Sequence, residues 1–140
     1  MTTPVSFELA KLLKEKGLDL PCFHYYENEK LIEPYLENGS SSDTEFRVDL
    51  SDLKEHFNKW SKRISAPTIA EVVMWLYEKH GIWVEVVKPV RQKLFRFNVD
   101  NKDDMNEFVS AVCFNSPTQA YEAAIKYTLE HTLKQKLDKQ

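Results

Sequence analysis

The sequence predicts an α+β fold in which antiparallel strands and hairpins pack against a central helix and a C-terminal helix. The central helix has a clear start, where Thr68 and Glu71 show the S/T-x-x-E spacing of a capping box, and a clear stop at Gly81. A second helix start occurs at Ser116 and Pro117, since serine caps helices and proline favours their first position. Short segments with alternating or β-branched residues lie between these helices and before them, as in antiparallel strands.

The totals are those of an ordinary globular protein. The chain has 140 residues, of which 42% are hydrophobic and 29% charged, and its net charge is −3. We therefore expect a single α+β domain over 1–140, with residues 134–140 as a frayed polar tail. The three glycines form neither of the glycine-rich phosphate-binding patterns, and the two cysteines lie far apart, so no cofactor and no disulfide framework is expected.

The charge pattern also bears on location and on partners. Glu8, Lys11 and Lys14 interrupt the first turns of the chain, which excludes the apolar core of a signal peptide. No run of about 18 apolar residues is present to span a bilayer. We expect a cytoplasmic protein with no membrane partner, and the net negative charge gives no general attraction to nucleic acid.

The first half of the chain predicts one helix followed by a hairpin. Residues from about Ser6 to Lys16 form an amphipathic pattern that Gly17 ends. Cys22–Tyr26 and Leu31–Leu36 then read as two strands around a four-residue turn. The next element is a strand with one solvent-facing side, whose apolar residues are Phe46, Val48 and Leu50. A helix with one apolar stripe follows, capped by Ser51, and its stripe consists of Leu53, Phe57, Trp60 and Ile64.

The central helix leaves one residue unexplained. Its main apolar stripe consists of Ile69, Val72, Val73, Leu76 and His80. A second apolar row beside it consists of Ala70, Met74 and Tyr77, and both are expected to be buried against other elements. Trp75 instead shares a face with the charged residues Glu71, Glu78 and Lys79. Either another part of the fold covers Trp75, or Trp75 anchors a protein interface flanked by Glu71 and Glu78, because tryptophan is enriched at interface hot spots.

The second half predicts three more strands and the last helix. Ile82–Val87 and Leu94–Val99 alternate as strands do. Met105–Phe114 fits a helix or a strand, and its aromatic and β-branched residues favour the strand. In the helix that begins at Ser116, Gln119 would complete a capping box, and Tyr121, Ala124, Ile125, Leu129 and Leu133 form the stripe that is expected to be buried.

Charge is segregated between two predicted hairpins. The segment from Glu27 to Glu45 holds six acids and one base, whereas the segment from Val86 to Val99 holds four bases and no acid. The bases Lys88, Arg91, Lys93 and Arg96 form a candidate binding face. Phe95 and Phe97 add the aromatic component that single-strand nucleic-acid binders use for stacking, although period 2 places both on the face opposite Arg96.

No set of residues in the sequence calls for catalysis or metal binding. The four histidines come from different predicted elements and lack the spacing of metal ligands. Cys22 and His24 share a strand face, but no glycine or helix start nearby would supply an oxyanion site. The aspartates near Asp100 lack the glycine and glutamate of a calcium loop. We therefore expect no enzyme, no catalytic residue and no metal site.

Three blocks of the sequence carry a family resemblance. Residues 6–17, 66–83 and 114–124, about three tenths of the chain, resemble small uncharacterised proteins encoded by Bacteroides-type phages and prophages. The matching residues are helix caps and core stripes, so the resemblance implies the α+β fold and a phage or mobile-element origin. It brings no activity and no catalytic residue. The chain departs from the family at Asn28 and Glu29, where a glycine is usual in the first hairpin turn.

Two functions follow as expectations from these patterns. The first is a non-enzymatic accessory module that works by protein binding, either to an unknown partner or to a second copy of the chain in a homodimer. The charge-segregated hairpins and Trp75 favour this function. The second is binding of single-stranded nucleic acid through the basic segment.

Overall fold

The computed structural model describes residues 3–33, 54–102, 104–110 and 112–133, with the backbone alone at 104–107. Within these ranges the predicted α+β class is confirmed, with three α-helices and two antiparallel sheets of three strands each. The predicted strand at Phe46–Leu50, the Ser51 cap and the tail at 134–140 lie outside the described residues. The single domain stays a prediction, because contacts divide the chain into two compact units, Pro4–Pro67 and Thr68–Gln140 with Met1–Thr3.

The helices and strands are numbered in chain order. They are α1 (Phe7–Glu15), β1 (Tyr25–Glu27), β2 (Lys30–Ile32), β3 (Ile64–Ser65), α2 (Ile69–His80), β4 (Ile82–Val87), β5 (Arg96–Asn101), β6 (Asp104–Val109) and α3 (Pro117–Tyr127).

In the unit Pro4–Pro67, α1 has the ends that its sequence predicts. The Ser6 hydroxyl accepts a hydrogen bond from the Leu9 backbone N–H at 3.3 Å. At the other end Gly17 has a φ of +83°, and the Leu18 N–H donates to the Leu13 carbonyl at 3.0 Å, as in a Schellman motif. Leu18 is buried, so the chain folds back onto the apolar face of α1.

The predicted hairpin is confirmed with shorter strands and a shorter turn, and residues 34–36 of its predicted second strand lie outside the described residues. β1 and β2 pair antiparallel with Glu27 opposite Lys30, which leaves Asn28 and Glu29 as the turn. Both turn residues have positive φ, 52° and 64°, as in the type I′ turns that match the twist of two-residue hairpins. Asparagine tolerates this conformation, so the turn forms here without the glycine that is usual at such a position.

The helix predicted to run through Phe57, Trp60 and Ile64 is wrong in the described part. Only a short 3₁₀ turn forms at Phe57–Lys59, and Ile64–Ser65 is β3, the strand on the other side of β1. The Asn58 side chain accounts for the difference. Its Oδ1 accepts from the Ser65 N–H at 2.7 Å, while the Asn58 N–H donates to the Ser65 hydroxyl at 3.1 Å, so these bonds replace helical ones.

In the second unit, α2 forms as predicted. The Thr68 hydroxyl accepts from the Glu71 N–H at 3.2 Å, and the Glu71 carboxylate accepts from the Thr68 N–H at 3.0 Å, which completes the capping box. Gly81 ends α2 with a φ of 68°. A side chain at Gly81 would be strained in this left-handed conformation, so the glycine sets where the chain turns into β4.

The strands β4, β5 and β6 form a sheet in that order, so β4 and β6 are its edges among the described residues. The segment that fitted both a helix and a strand is a strand as far as Val109, which confirms the favoured interpretation over that range. Beyond β6 the Ser110 hydroxyl accepts from the Phe97 N–H at 3.1 Å and donates to the Val112 carbonyl at 3.0 Å. This serine thus links the end of β6 to the start of β5.

The C-terminal helix α3 begins at the predicted residue, with the Ser116 hydroxyl accepting from the Gln119 N–H at 3.1 Å and Pro117 in the first turn, but the structure shows only this half of the predicted capping box. Ala120 and Ala124 are fully buried, which lets α3 approach β4, β5 and α2 closely. A π-helical turn, Thr128–Thr132, continues α3.

The capping box of α2 gives a stability prediction. We expect Thr68→Ala to lower the free energy of unfolding by about 1 kcal/mol, because the Glu71 N–H loses its acceptor. Urea denaturation measures the change. Thr118→Ala, at an exposed position in the first turn of α3, is the control and should change stability by less than about 0.5 kcal/mol. Equal effects of the two substitutions would contradict the assigned role of Thr68.

Candidate protein-binding surface

Trp75 is covered within the fold, which confirms the first of the two alternatives and removes Trp75 as the anchor of a protein interface. Its side chain is 4% exposed, and its ring meets the ring of His80 edge-on at 4.9 Å between centroids. Glu71, the predicted neighbour of Trp75 in the interface, belongs to the capping box. Of the three residues predicted for this interface, Glu78 alone is exposed.

The rotation of α2 about its axis exposes a different pair. Met74 and Tyr77, predicted to lie under cover, are 44% and 49% exposed. These two residues are three apart and therefore neighbours on the helix surface, and Glu78 lies one turn beyond Met74. The face predicted to be charged and wet is thus partly buried, while part of the second apolar row faces solvent.

The strand after α2 extends this exposed apolar surface. Trp83 is 39% exposed, whereas Ile82 and Val84 on either side of it in β4 are buried, as the alternation of a strand requires. The rings of Tyr77 and Trp83 meet edge-to-face with centroids 5.5 Å apart. We call Met74, Tyr77 and Trp83 the aromatic patch.

Acidic side chains border the aromatic patch. The Trp83 indole N–H donates to one carboxylate oxygen of Glu85 at 3.4 Å, and the Asn98 amide donates to the other at 3.3 Å. Asp100, which is exposed, lies directly opposite Trp83 in the β4–β5 ladder. Together with Glu78, the patch therefore has three carboxylates beside an apolar centre, and one of them holds the indole ring in place.

The predicted basic face lies at the other end of the same hairpin. Residues 88–95 connect β4 to β5, and we call them the basic loop. Lys88, Arg91 and Lys93 are exposed, while Arg96 is half-buried at the start of β5. The loop also exposes apolar side chains, since Val90 is 88% and Leu94 is 39% exposed.

Arg91 holds an uncommon backbone conformation at the tip of the basic loop. The Gln92 N–H donates to the Pro89 carbonyl at 3.1 Å, which closes a β-turn, and Arg91 has a φ of 68° at its third position. Type II turns place a positive φ there and normally use glycine or asparagine. An arginine at this position carries a conformational cost of about 1–2 kcal/mol.

Phe97, one of the two phenylalanines of the basic segment, is not placed to stack on a base. Phe97 is buried, and its ring lies within 6.1 Å, between centroids, of the rings of Phe108, Phe114 and Tyr127. Phe95 forms an isolated bridge with Phe114 through two backbone hydrogen bonds of 2.8 Å. The basic loop thus presents cations and aliphatic side chains, and the phenylalanine on the adjoining strand packs inside.

Cys22 and His24 are not arranged as a nucleophile and its base. The Cys22 thiol is buried and donates to the Leu20 carbonyl at 3.5 Å, while the His24 Nε2 lies 2.9 Å from a carboxylate oxygen of Glu33. Within the described ranges, no three or more His, Cys, Asp or Glu side chains are grouped so that they could hold a metal ion.

Comparisons with known proteins identify no relative: no protein-family model, curated protein or solved structure matches the chain. The phage-family resemblance therefore stays an expectation. Among the described residues, no helix has both the length and the apolar character needed to cross a bilayer.

The sequence carried a signal for the aromatic patch in β4. Period 2 puts Trp83 and Glu85 on one face of the strand and the aliphatic residues on the other. This pattern predicts a tryptophan on the wet face of the sheet. The exposure of Met74 and Tyr77 had no such signal, because both belong to an apolar row.

The strained turn gives a second prediction. We expect Arg91→Gly to leave the free energy of unfolding unchanged or to raise it by up to about 1 kcal/mol, since glycine adopts positive φ without strain. Arg91→Val should lower it by about 1 kcal/mol, because β-branched residues tolerate this conformation least. Urea denaturation of both variants provides the measurement, and a glycine variant as unstable as the valine variant would contradict the assigned strain.

Proposed function

We propose that the chain is a non-enzymatic protein-binding module whose contact surface is the aromatic patch. The observation that carries this proposal is that three large side chains, a methionine, a tyrosine and a tryptophan, are exposed side by side on α2 and the adjoining strand β4. Clustered exposed apolar side chains with a polar rim are typical of interaction sites.

The composition of the patch supports protein recognition in particular. Tyrosine and tryptophan give large contact areas with few rotatable bonds, and methionine adapts its shape to a partner. The hydrogen bond from Trp83 to Glu85 orients the indole ring before binding, which reduces the entropy lost on association. The carboxylates of Glu78, Glu85 and Asp100 would select a partner surface with basic residues around an apolar centre.

The remaining expectations belong to the same proposal. We infer a cytoplasmic accessory protein of a phage or mobile element, acting through an unknown protein partner or through self-association. The resemblance in blocks 6–17, 66–83 and 114–124 supports the origin. The separation of negative and positive charge between segments of the chain supports binding through complementary surfaces.

Photo-crosslinking at position 77 tests the proposed function. A photoreactive phenylalanine analogue in place of Tyr77 should form specific crosslinks to protein in a lysate of cells that express the chain. Adding Trp83→Ala to the same protein should remove most of these crosslinks, because it removes the ring beside Tyr77.

The matched control places the analogue at Thr118, which is exposed in α3 and distant in sequence from the patch. A product at twice the mass of the chain would indicate self-association, and a product at another mass would indicate a different partner. If positions 77 and 118 give the same products, or neither gives any, the aromatic patch is not a protein-binding surface.

Single-strand nucleic-acid binding through Lys88, Arg91, Lys93 and Arg96 is the second candidate. Three exposed cations on one loop favour phosphate contacts, whereas the burial of Phe97 argues against stacking of bases. If this function holds, affinity for short oligonucleotides should fall linearly with salt on logarithmic axes, and charge reversal of Lys88, Arg91 and Lys93 should abolish binding. Fluorescence anisotropy measures both effects, and flat titrations at low salt would eliminate the candidate.

A further inference from the structure

The aromatic patch and the basic loop are complementary to each other. The patch has an apolar centre and three carboxylates around it, whereas the loop has an apolar tip between three exposed cations. We propose that the aromatic patch receives the basic loop of a second copy of this chain. This inference rests on the proposed function, because it takes the patch as a protein-binding surface and names what binds there.

The charges of the two surfaces favour this occupant. From Val86 to Val99 the chain carries four bases and no acid. The patch has Glu78, Glu85 and Asp100 at its border. Lys102 is a cation near the patch, since its backbone N–H donates to the Gly81 carbonyl at 2.9 Å. With Lys102 included, three acidic residues stand against one basic residue. Opposite charges that meet around an apolar contact fix orientation and speed association.

The apolar centres of the two surfaces also suit each other. Val90 is the second residue of the turn that Pro89 and Gln92 close, and at 88% it is the most exposed large apolar side chain among the described residues. Against the rings of Tyr77 and Trp83 it would bury an aliphatic side chain that its own copy leaves in water. Removing such surface from water contributes roughly 25 cal/mol for each Å².

A chain cannot place this loop on its own patch. The Trp83–Asp100 pair lies near the open end of the β4–β5 hairpin, while the pair Val87–Arg96 lies at the closed end, where the loop begins. The five residues from Trp83 to Val87 are four steps apart and span roughly 13 Å of strand, and the loop lies beyond them. The two surfaces thus lie at opposite ends of one rigid ladder, so the contact requires another molecule.

The topology of the sheet allows the contact to close on itself. Because β4 is an edge strand among the described residues, two copies can lie with their β4–β5 hairpins side by side and antiparallel. In that arrangement each basic loop meets the aromatic patch of the other copy. The same contact then occurs twice about a two-fold axis, which gives a closed dimer instead of an open filament.

The turn at Arg91 gives an independent reason to assign a role to the loop. Glycine at this position would relieve the positive φ, yet the chain carries an arginine. Strained residues of this kind are concentrated at functional sites. The left-handed conformation places Arg91 at the tip of the loop beside Val90. In the proposed contact, Arg91 meets the carboxylates of the patch and Val90 meets its rings.

Charge reversal with mixing tests the proposed contact, and light scattering after size-exclusion chromatography gives the mass. The unaltered chain should approach twice its single-chain mass as concentration rises. The loop variant, with Lys88→Glu, Arg91→Glu and Lys93→Glu, should be monomeric, and so should the patch variant, with Glu78→Lys and Asp100→Lys. An equimolar mixture of the two variants should recover the dimer, because each acidic loop then meets a basic patch and each basic loop an acidic patch.

Single reversals away from both surfaces are the controls. Lys126→Glu and Glu130→Lys, at exposed positions in and after α3, should leave the dimer unchanged. Trp83→Ala should weaken it at least about 10-fold, as for an interface anchor. Circular dichroism of every variant checks that it is folded.

The outcomes separate this inference from the proposed function. A monomer at every concentration, or a mixture that fails to recover the dimer, overturns the loop-to-patch contact. If Trp83→Ala abolishes self-association or crosslinking while the loop reversals do not, the patch binds protein but its occupant is not the loop. If Trp83→Ala changes neither, both proposals fail.

Discussion

The two ends of α2 are the constraint on which the rest of this unit depends. The capping box at Thr68 and Glu71 fixes where the helix starts, and the left-handed Gly81 fixes where the chain leaves it for β4. Between these ends, burial of the stripe formed by Ile69, Val72, Val73 and Leu76 fixes the rotation of the helix about its axis. The same constraint that turns Trp75 inward therefore turns Met74 and Tyr77 outward. The burial of Trp75 and the exposure of Met74 and Tyr77 thus follow from the same rotation of α2.

The short connection at Gly81 extends that constraint into the sheet. Because β4 starts immediately after the glycine, Trp83 lies close enough for its ring to contact Tyr77. The strand alternation that buries Ile82 and Val84 keeps Trp83 on the outside. The β4–β5 ladder then carries the basic loop away from this end of the hairpin. The end of α2 at Gly81 and the length of β4 therefore place the aromatic patch and the basic loop at opposite ends of the β4–β5 hairpin.

Local rules in the sequence predict most elements of the described fold. The caps at Ser6, Thr68 and Ser116 each begin a helix, because a hydroxyl before an apolar stripe satisfies a free backbone N–H. The hairpin of β1 and β2 follows from its two short strands. The region around Phe57 could not be predicted in this way, because the bonds between Asn58 and Ser65 that bend it join residues seven positions apart.

The candidate site was less predictable than the fold. Cations at Lys88, Arg91 and Lys93 follow from composition alone, since no acid interrupts them. The two alternatives for Trp75 could not be separated from the sequence, because charged neighbours on a helix indicate an exposed face only if no other element covers that face. Coverage is set by tertiary packing, which a helical pattern does not contain. Trp83 was predictable in principle, because its exposure depends on strand alternation, which is a local property.

Hydroxyl-radical footprinting of the dilute protein tests the central claim, the rotation of α2, most directly. Trp75 and Trp83 have the same intrinsic reactivity, so their oxidation rates by mass spectrometry compare the exposure of their side chains alone. The account predicts fast oxidation of Trp83, together with Met74 and Tyr77, and strong protection of Trp75 that disappears on unfolding in urea. Oxidation of Trp75 as fast as that of Trp83 in the folded protein would contradict it.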